Sequence, residues 1–274
     1  MNRKDAFPRG SEFPSQSPLF WVQQKDRYLR QLLISDIEAL SGRRTIVYFA
    51  NRYVPNNEIN IGDISYFNEV LGDISNEPTD IVINTGGGAT DATEAIISLL
   101  QASLSDFRIV VPHSAKSNGT MICLAANEII MGPPSELGPI DPSVGDNPAS
   151  ILVEDIVKQQ NFVLHMLAVY AISQTKSLAT KLLKSGMMKG RTDAEIAETV
   201  QCLASREKFF SHGSAIDHVE AQQLGLNVRF LAAEDEYWKR VWLLYCMYAY
   251  DVQKSGVVKI FEGRSRSLSV APIS

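Results

Sequence analysis

The stretch Ser114-Ala115-Lys116-Ser117-Asn118-Gly119-Thr120 decides how this chain is read. It joins an apolar run, Arg108 to Pro112, suited to a buried strand, to a small-residue helical run, Met121 to Asn127. A serine delivered from a strand end to the start of a helix lies beside the helix's positive end. Upstream, the apolar run Asp80 to Asn84 stops at Thr85-Gly86-Gly87-Gly88. Glycines there leave backbone N–H groups uncovered. The two turns together offer a nucleophile and an anion-stabilising pocket, which are the requirements of acyl-transfer chemistry.

Outward from these turns, strands and helices alternate. Strands are expected over Thr45–Phe49, Asp80–Asn84, Phe107–Pro112 and Glu128–Met131, and helices over Asn60–Leu71, Asp91–Leu104 and Gly119–Asn127. Such alternation indicates βαβ units and a parallel sheet buried on both faces. Both special turns fall at carboxyl ends of strands, where open α/β sheets place their ligands. The second half reads as helical: Ala149 to Lys184, Asp193 to Leu203 capped by Thr192 or Asp193, and Glu234 to Gln253, with a short strand over Asn227–Leu231. Residues 1–16, with Pro8, Gly10 and Pro14, read as a flexible arm. Residues 17–253 form a single domain with its core over 45–231, and 254–274 read as a flexible tail.

Composition narrows the function. The chain has 274 residues, 45% apolar and 21% charged, enough for one sizeable core. A net charge of −5 without a Lys/Arg cluster argues against nucleic-acid binding. Cys123, Cys202 and Cys246 are scattered, with no CxxC, and read as buried thiols of a reducing compartment. No apolar run reaches the ~18 residues of a membrane span, and no signal-like segment follows Met1. A cytoplasmic protein is therefore expected. No HxH or HExxH suggests a metal, and no GxGxxG follows a strand, so no cofactor is expected.

Four segments occur in order: Ile83-Asn84-Thr85-Gly86-Gly87-Gly88, Val111 to Thr120, Ala125-Ala126-Asn127-Glu128-Ile129, and Leu137-Gly138-Pro139-Ile140-Asp141-Pro142. In these the chain resembles the serine dehydrogenase proteinase family, within the Clp-protease and crotonase-like superfamily that also holds the signal peptide peptidase A enzymes. The resemblance runs from about Thr45 to Leu231. It implies an α/β fold of repeated ββα units with a parallel sheet flanked by helices. It also implies Ser117 as nucleophile, Gly87 and Asn118 as oxyanion donors through their N–H groups, and Gly86, Gly88 and Ala89 along a substrate edge. The Gly-Gly pair usual after the serine is here Asn118-Gly119, and Gly86 stands where proline is usual.

The resemblance leaves the general base open. Asp141 stands where Clp-type relatives carry a histidine, and an aspartate of ordinary pKa is a poor base for a hydroxyl. The signal peptide peptidase relatives use a lysine, for which Lys158 is the matching candidate here, against the plain reading of a solvated helix lysine. A buried lysine can reach the working range by desolvation. Lys116 is the weaker choice, because neighbouring side chains on a strand point to opposite faces. Among the histidines, His113 reads as a packed turn residue and His165 as core. His212 and His218 are the ones to test if a histidine serves as base.

The expected function is a serine peptidase acting on extended or unfolded peptides laid beside Gly86 to Thr90. Its rivals are a crotonase-like acyl-CoA enzyme and an inactive peptide-binding scaffold. The resemblance further implies a homo-oligomer: a trimer, a hexamer or a larger ring.

Overall fold

The computed structural model describes residues 17–74, 76–145 and 147–272. The expected arm, residues 1–16, lies outside them. In chain order the elements are α1 (Pro18–Gln23), α2 (Lys25–Ser41), β1 (Arg44–Ala50), α3 (Asp63–Leu71), β2 (Thr79–Asn84), α4 (Thr90–Ser103) and β3 (Phe107–Val111). Then come the two-residue β4 (Ser114–Ala115), α5 (Asn118–Leu124), β5 (Glu128–Met131), β6 (Glu136–Leu137) and the hairpin β7 (Ser143–Val144) and β8 (Asn147–Pro148). The chain closes with α6 (Ala149–Leu152), α7 (Asp155–Gln160), α8 (Phe162–Ser185), α9 (Asp193–Ala204), α10 (His218–Gln223), β9 (Val228–Phe230), α11 (Glu236–Ser255), β10 (Lys259–Gly263) and β11 (Ser267–Val270).

The seven-stranded sheet runs β11-β10-β1-β2-β3-β5-β9. Strands β1, β2, β3, β5 and β9 pair in parallel, while β10 and β11 are antiparallel. Parallel strands covered by helices on both faces must be apolar on both sides, and every residue of β1 and β2 is buried. One face packs under α3, α4, α5, α8 and α9 through Tyr48, Ile83, Ile109 and Met121. The other packs under α2 and α11 through Val47, Val82, Val110, Trp238 and Tyr248. The helical apolar spacing of Leu19 to Leu40 belongs to two helices, divided at Gln24 (φ −100°, ψ 7°). The aromatic residues Trp238 and Tyr248 of α11 bury against the chain's own sheet.

The last segment departs from expectation. Residues read as a flexible tail form β10 and β11, with Ile46 opposite Gly263 and Ala50 opposite Lys259. Two charges in β10 masked the strand. The Lys259 ammonium is buried against the Asp63 carboxylate (2.8 Å) and the Glu58 carbonyl (2.6 Å). Glu262 is buried against Arg30 (2.7 Å) and the Tyr248 hydroxyl. A buried charge is tolerated only when paired in this way.

Candidate active site

Ser117 caps α5 with φ 53° and ψ −122°, a region that residues bearing a Cβ avoid. Its neighbours hold it there. Lys116 N–H donates to the Thr85 carbonyl (3.1 Å), Gly119 N–H to the Lys116 carbonyl (2.7 Å), and Met121 N–H to the Ser117 carbonyl (3.1 Å). Gly119 is obligatory, since a Cβ would come within 2.5 Å of Thr85 Cγ2. A sharp strand-to-helix turn of this kind lifts the serine hydroxyl clear of the chain.

The preceding lysine is fixed. Lys116 Nζ donates to the carbonyls of Leu137 (3.1 Å) and Ser214 (3.0 Å) and pairs with Glu136 (3.0 Å). Burial pushes its pKa down, partly offset by Glu136. With its donors committed, Lys116 ties three segments together behind Ser117.

The glycine turn meets the serine turn directly. Gly87 has φ 100°, and a Cβ there would lie 2.7 Å from both the Lys116 carbonyl and Ser117 Cβ. Its N–H donates to Thr85 Oγ1 (3.2 Å) and its carbonyl accepts from Ile59 N–H (2.8 Å). Ala89 N–H donates to the Ile59 carbonyl (2.8 Å), so Ile59 fills one edge of this segment. In extended backbone the N–H and C=O of one residue share a side. Gly88 therefore directs both groups away from Ile59, and its carbonyl accepts from Asn118 Nδ2 (2.6 Å). The open substrate edge expected beside Gly86 to Thr90 is thus occupied by Ile59 on one side and, at Gly88, by the Asn118 side chain on the other. The Asn118 backbone N–H has no partner among the described residues.

Ser117 opens into a cleft of about 100 Å³ together with Gly88, Thr90, Asn118, Asp141 and His212, walled by Ala171, Gln174 and Thr175 of α8. Gln174 is held by Asp91 of α4 (3.0 Å). Asp141 is buried, and its Oδ1 accepts from His212 Nδ1 (2.7 Å) while its Oδ2 accepts from Arg206 Nε (2.8 Å). Burial alone would raise its carboxyl pKa. The His212 and Arg206 hydrogen bonds outweigh burial and hold it below the ordinary carboxylate value. An ionised Asp141 can only accept, which fixes the Nδ1–H tautomer of His212 and leaves Nε2 as the acceptor.

The other candidates are not brought to this cleft. Lys158 is exposed on α7 and does not line it. His113 stacks on Tyr245 (centroids 5.4 Å, 12°) in a separate cavity towards α11, and burial pushes its pKa down. His218 stacks on Phe230 (3.9 Å). Sequence reasoning named Asp141 and His212 separately but missed their pairing, and it missed Arg206 and Ile59 altogether. The 71 residues between Asp141 and His212 form no local motif.

Among the described residues no group of His, Cys, Asp and Glu could hold a metal ion. The profile of the ClpP-like SDH-type serine proteinases matches residues 63–262, which include both turns and the Asp141–His212 pair. The chain belongs to that family. Two relatives in Methanocaldococcus jannaschii are uncharacterized proteins. MJ0137 is 32% identical over 190 residues, covering 67% of this chain and 63% of its own length. MJ1495 is 34% identical over 113 residues, 39% of each chain. The chain thus spans less than two thirds of either relative. Among solved structures, ClpP1 from Listeria monocytogenes is 18% identical with a TM-score of 0.46, covering 74% of this chain and 96% of that one. A membrane-bound stomatin-specific protease is 20% identical with a TM-score of 0.40, covering 65% and 76%. Among the described residues of this family member, no helix is long and apolar enough to cross a membrane.

Proposed function

We propose that this protein is a serine peptidase in which Ser117 is the nucleophile, His212 the general base and Asp141 the residue that orients it. The observation that carries this reading is the Asp141–His212 hydrogen bond of 2.7 Å on the wall of the cleft that Ser117 enters. His212 Nε2 takes the Ser117 proton as Oγ attacks the peptide carbonyl. The Asn118 N–H and the Gly88 N–H receive the oxyanion, and Gly87 shapes the turn and contributes its own N–H only by exchanging Thr85 Oγ1. The imidazolium then protonates the departing amine. Water hydrolyses the acyl-serine by the same base, releasing the acid and restoring Ser117.

The pair replaces Lys158 in this reading because Lys158 is exposed on α7 and does not line the cleft that Ser117 enters. The cleft is small and its α8 wall includes Ala171 and Thr175. Substrates are therefore extended or unfolded peptides with a small side chain beside the scissile bond. Asn118 Nδ2 must leave the Gly88 carbonyl for a peptide strand to pair there. The exposed apolar side chains Ile156, Phe162, Val163, Leu167 and Tyr170 of α7 and α8 support a homo-oligomer.

The test is labelling by a fluorophosphonate and cleavage of an unfolded protein. Both are expected in the intact chain and lost in Ser117→Ala and His212→Ala, with Lys158→Ala retaining them. Cleavage that persists in Ser117→Ala overturns the peptidase reading. Loss in Lys158→Ala with retention in His212→Ala returns the base to the lysine.

A further inference from the structure

Arg206 enters neither the cleft nor the reaction, yet it makes a hydrogen bond to the group that orients His212. Its Nε donates to Asp141 Oδ2 at 2.8 Å, while Oδ1 of the same carboxylate accepts from His212 at 2.7 Å. Asp141 is 3% exposed and so cannot rely on water to hold its plane. We propose that Arg206 is a positioning residue that locks the Asp141 carboxylate for His212 and offsets the charge that the carboxylate presents to the imidazole. This rests on the reading of His212 as the base, but its central measurement does not require activity.

Two physical effects are separable. A carboxylate held at both oxygens cannot rotate, so the imidazole ring keeps one orientation. A lone buried carboxylate would also favour the protonated imidazole and raise its pKa. A guanidinium on the far oxygen offsets that charge, because it is permanently protonated. The base then sheds its proton at lower pH, at the expense of some stabilisation of the imidazolium during attack. The charges that bear on the pair can be named by element. Arg206 follows α9, and Asp91 and Glu94 of α4 accept hydrogen bonds from the neutral Gln174 amide of α8 (3.0 and 3.5 Å). Lys116 and Glu136, from the β4 and β6 segments, neutralise one another (3.0 Å). Arg206 and His212 are the side-chain hydrogen-bond partners of Asp141 among the described residues.

The experiment is a proton NMR titration of the four histidines in the full chain carrying Ser117→Ala, with the His212 signal assigned by its absence in His212→Gln. Arg206→Met is expected to raise the His212 midpoint by about 0.5–1 pH unit, the size of one screened charge across the carboxylate. Arg206→Lys keeps the charge and is expected to leave the midpoint near its original value. In the active chain the acid limb of kcat/KM should move up with Arg206→Met, while Arg206→Lys lowers kcat several-fold without moving the limb. A His212 midpoint that stays fixed in a folded Arg206→Met overturns the proposal, as does an equal shift in Arg206→Lys. If His212→Ala retains full hydrolysis, the reading of His212 as base fails, whereas the titration still decides the role of Arg206.

Discussion

At the scale of single residues, the site depends on positions where one atom more or less changes the chemistry. Gly87 is one of them: a Cβ there would meet the Lys116 carbonyl and Ser117 Cβ at 2.7 Å, from a φ of 100°. Gly87→Ala should lose nearly all hydrolysis and lower stability by about 1–3 kcal/mol, read by denaturant unfolding. His212→Ala should lower kcat by about 10²–10⁴, and Lys158→Ala should stay within about twofold, both read by peptide cleavage. The pH dependence follows from Asp141. Its folded pKa is depressed, so its stabilising contribution is present above the ordinary carboxylate value of about 3.9 and is lost as pH falls through the folded value. Asp141→Asn should abolish activity and flatten the acid end of the stability curve. The turn at Ser117 and the glycine turn were legible in the sequence because each is a contiguous run whose backbone demands dictate its residues. The Asp141–His212 contact was not, because it joins two loops that only the folded sheet brings together.

At the scale of elements, α8 and β10 carry the lessons. Ala171 and Thr175 stand on the α8 face that walls the cleft, one turn apart. Ala171→Phe should block peptides and fluorophosphonate alike while leaving the circular dichroism spectrum and melting temperature close to the parent, since Ala171 is only partly buried. The parallel strands could be read from the sequence because β-branched residues fill them on both faces. Strand β10 could not. Lys259 and Glu262 suggest a solvated tail, and only their partners Asp63 and Arg30, far away in the chain, make the strand a central one. Lys259→Ala leaves Asp63 buried and unpaired and should destabilise by about 3–5 kcal/mol, read by thermal or urea unfolding.

At the scale of the whole molecule, the sheet separates the two helical layers, and the cleft that Ser117 enters lies on the α5–α8 side. The apolar side chains left exposed on α7 and α8 lead to an expected mass above that of one chain in light scattering, and Phe162→Asp with Leu167→Asp should lower it. The antiparallel closing strand also has a temporal meaning. Lys259 holds the Glu58 carbonyl, and the adjacent Ile59 braces Gly87 and Ala89 on either side of Gly88. Strand β10 therefore secures the glycine turn that packs against Ser117. A nascent polypeptide that has not yet reached Lys259 carries Ser117 without this brace, so a peptidase of the kind proposed would gain its set turn only once β10 has paired with β1.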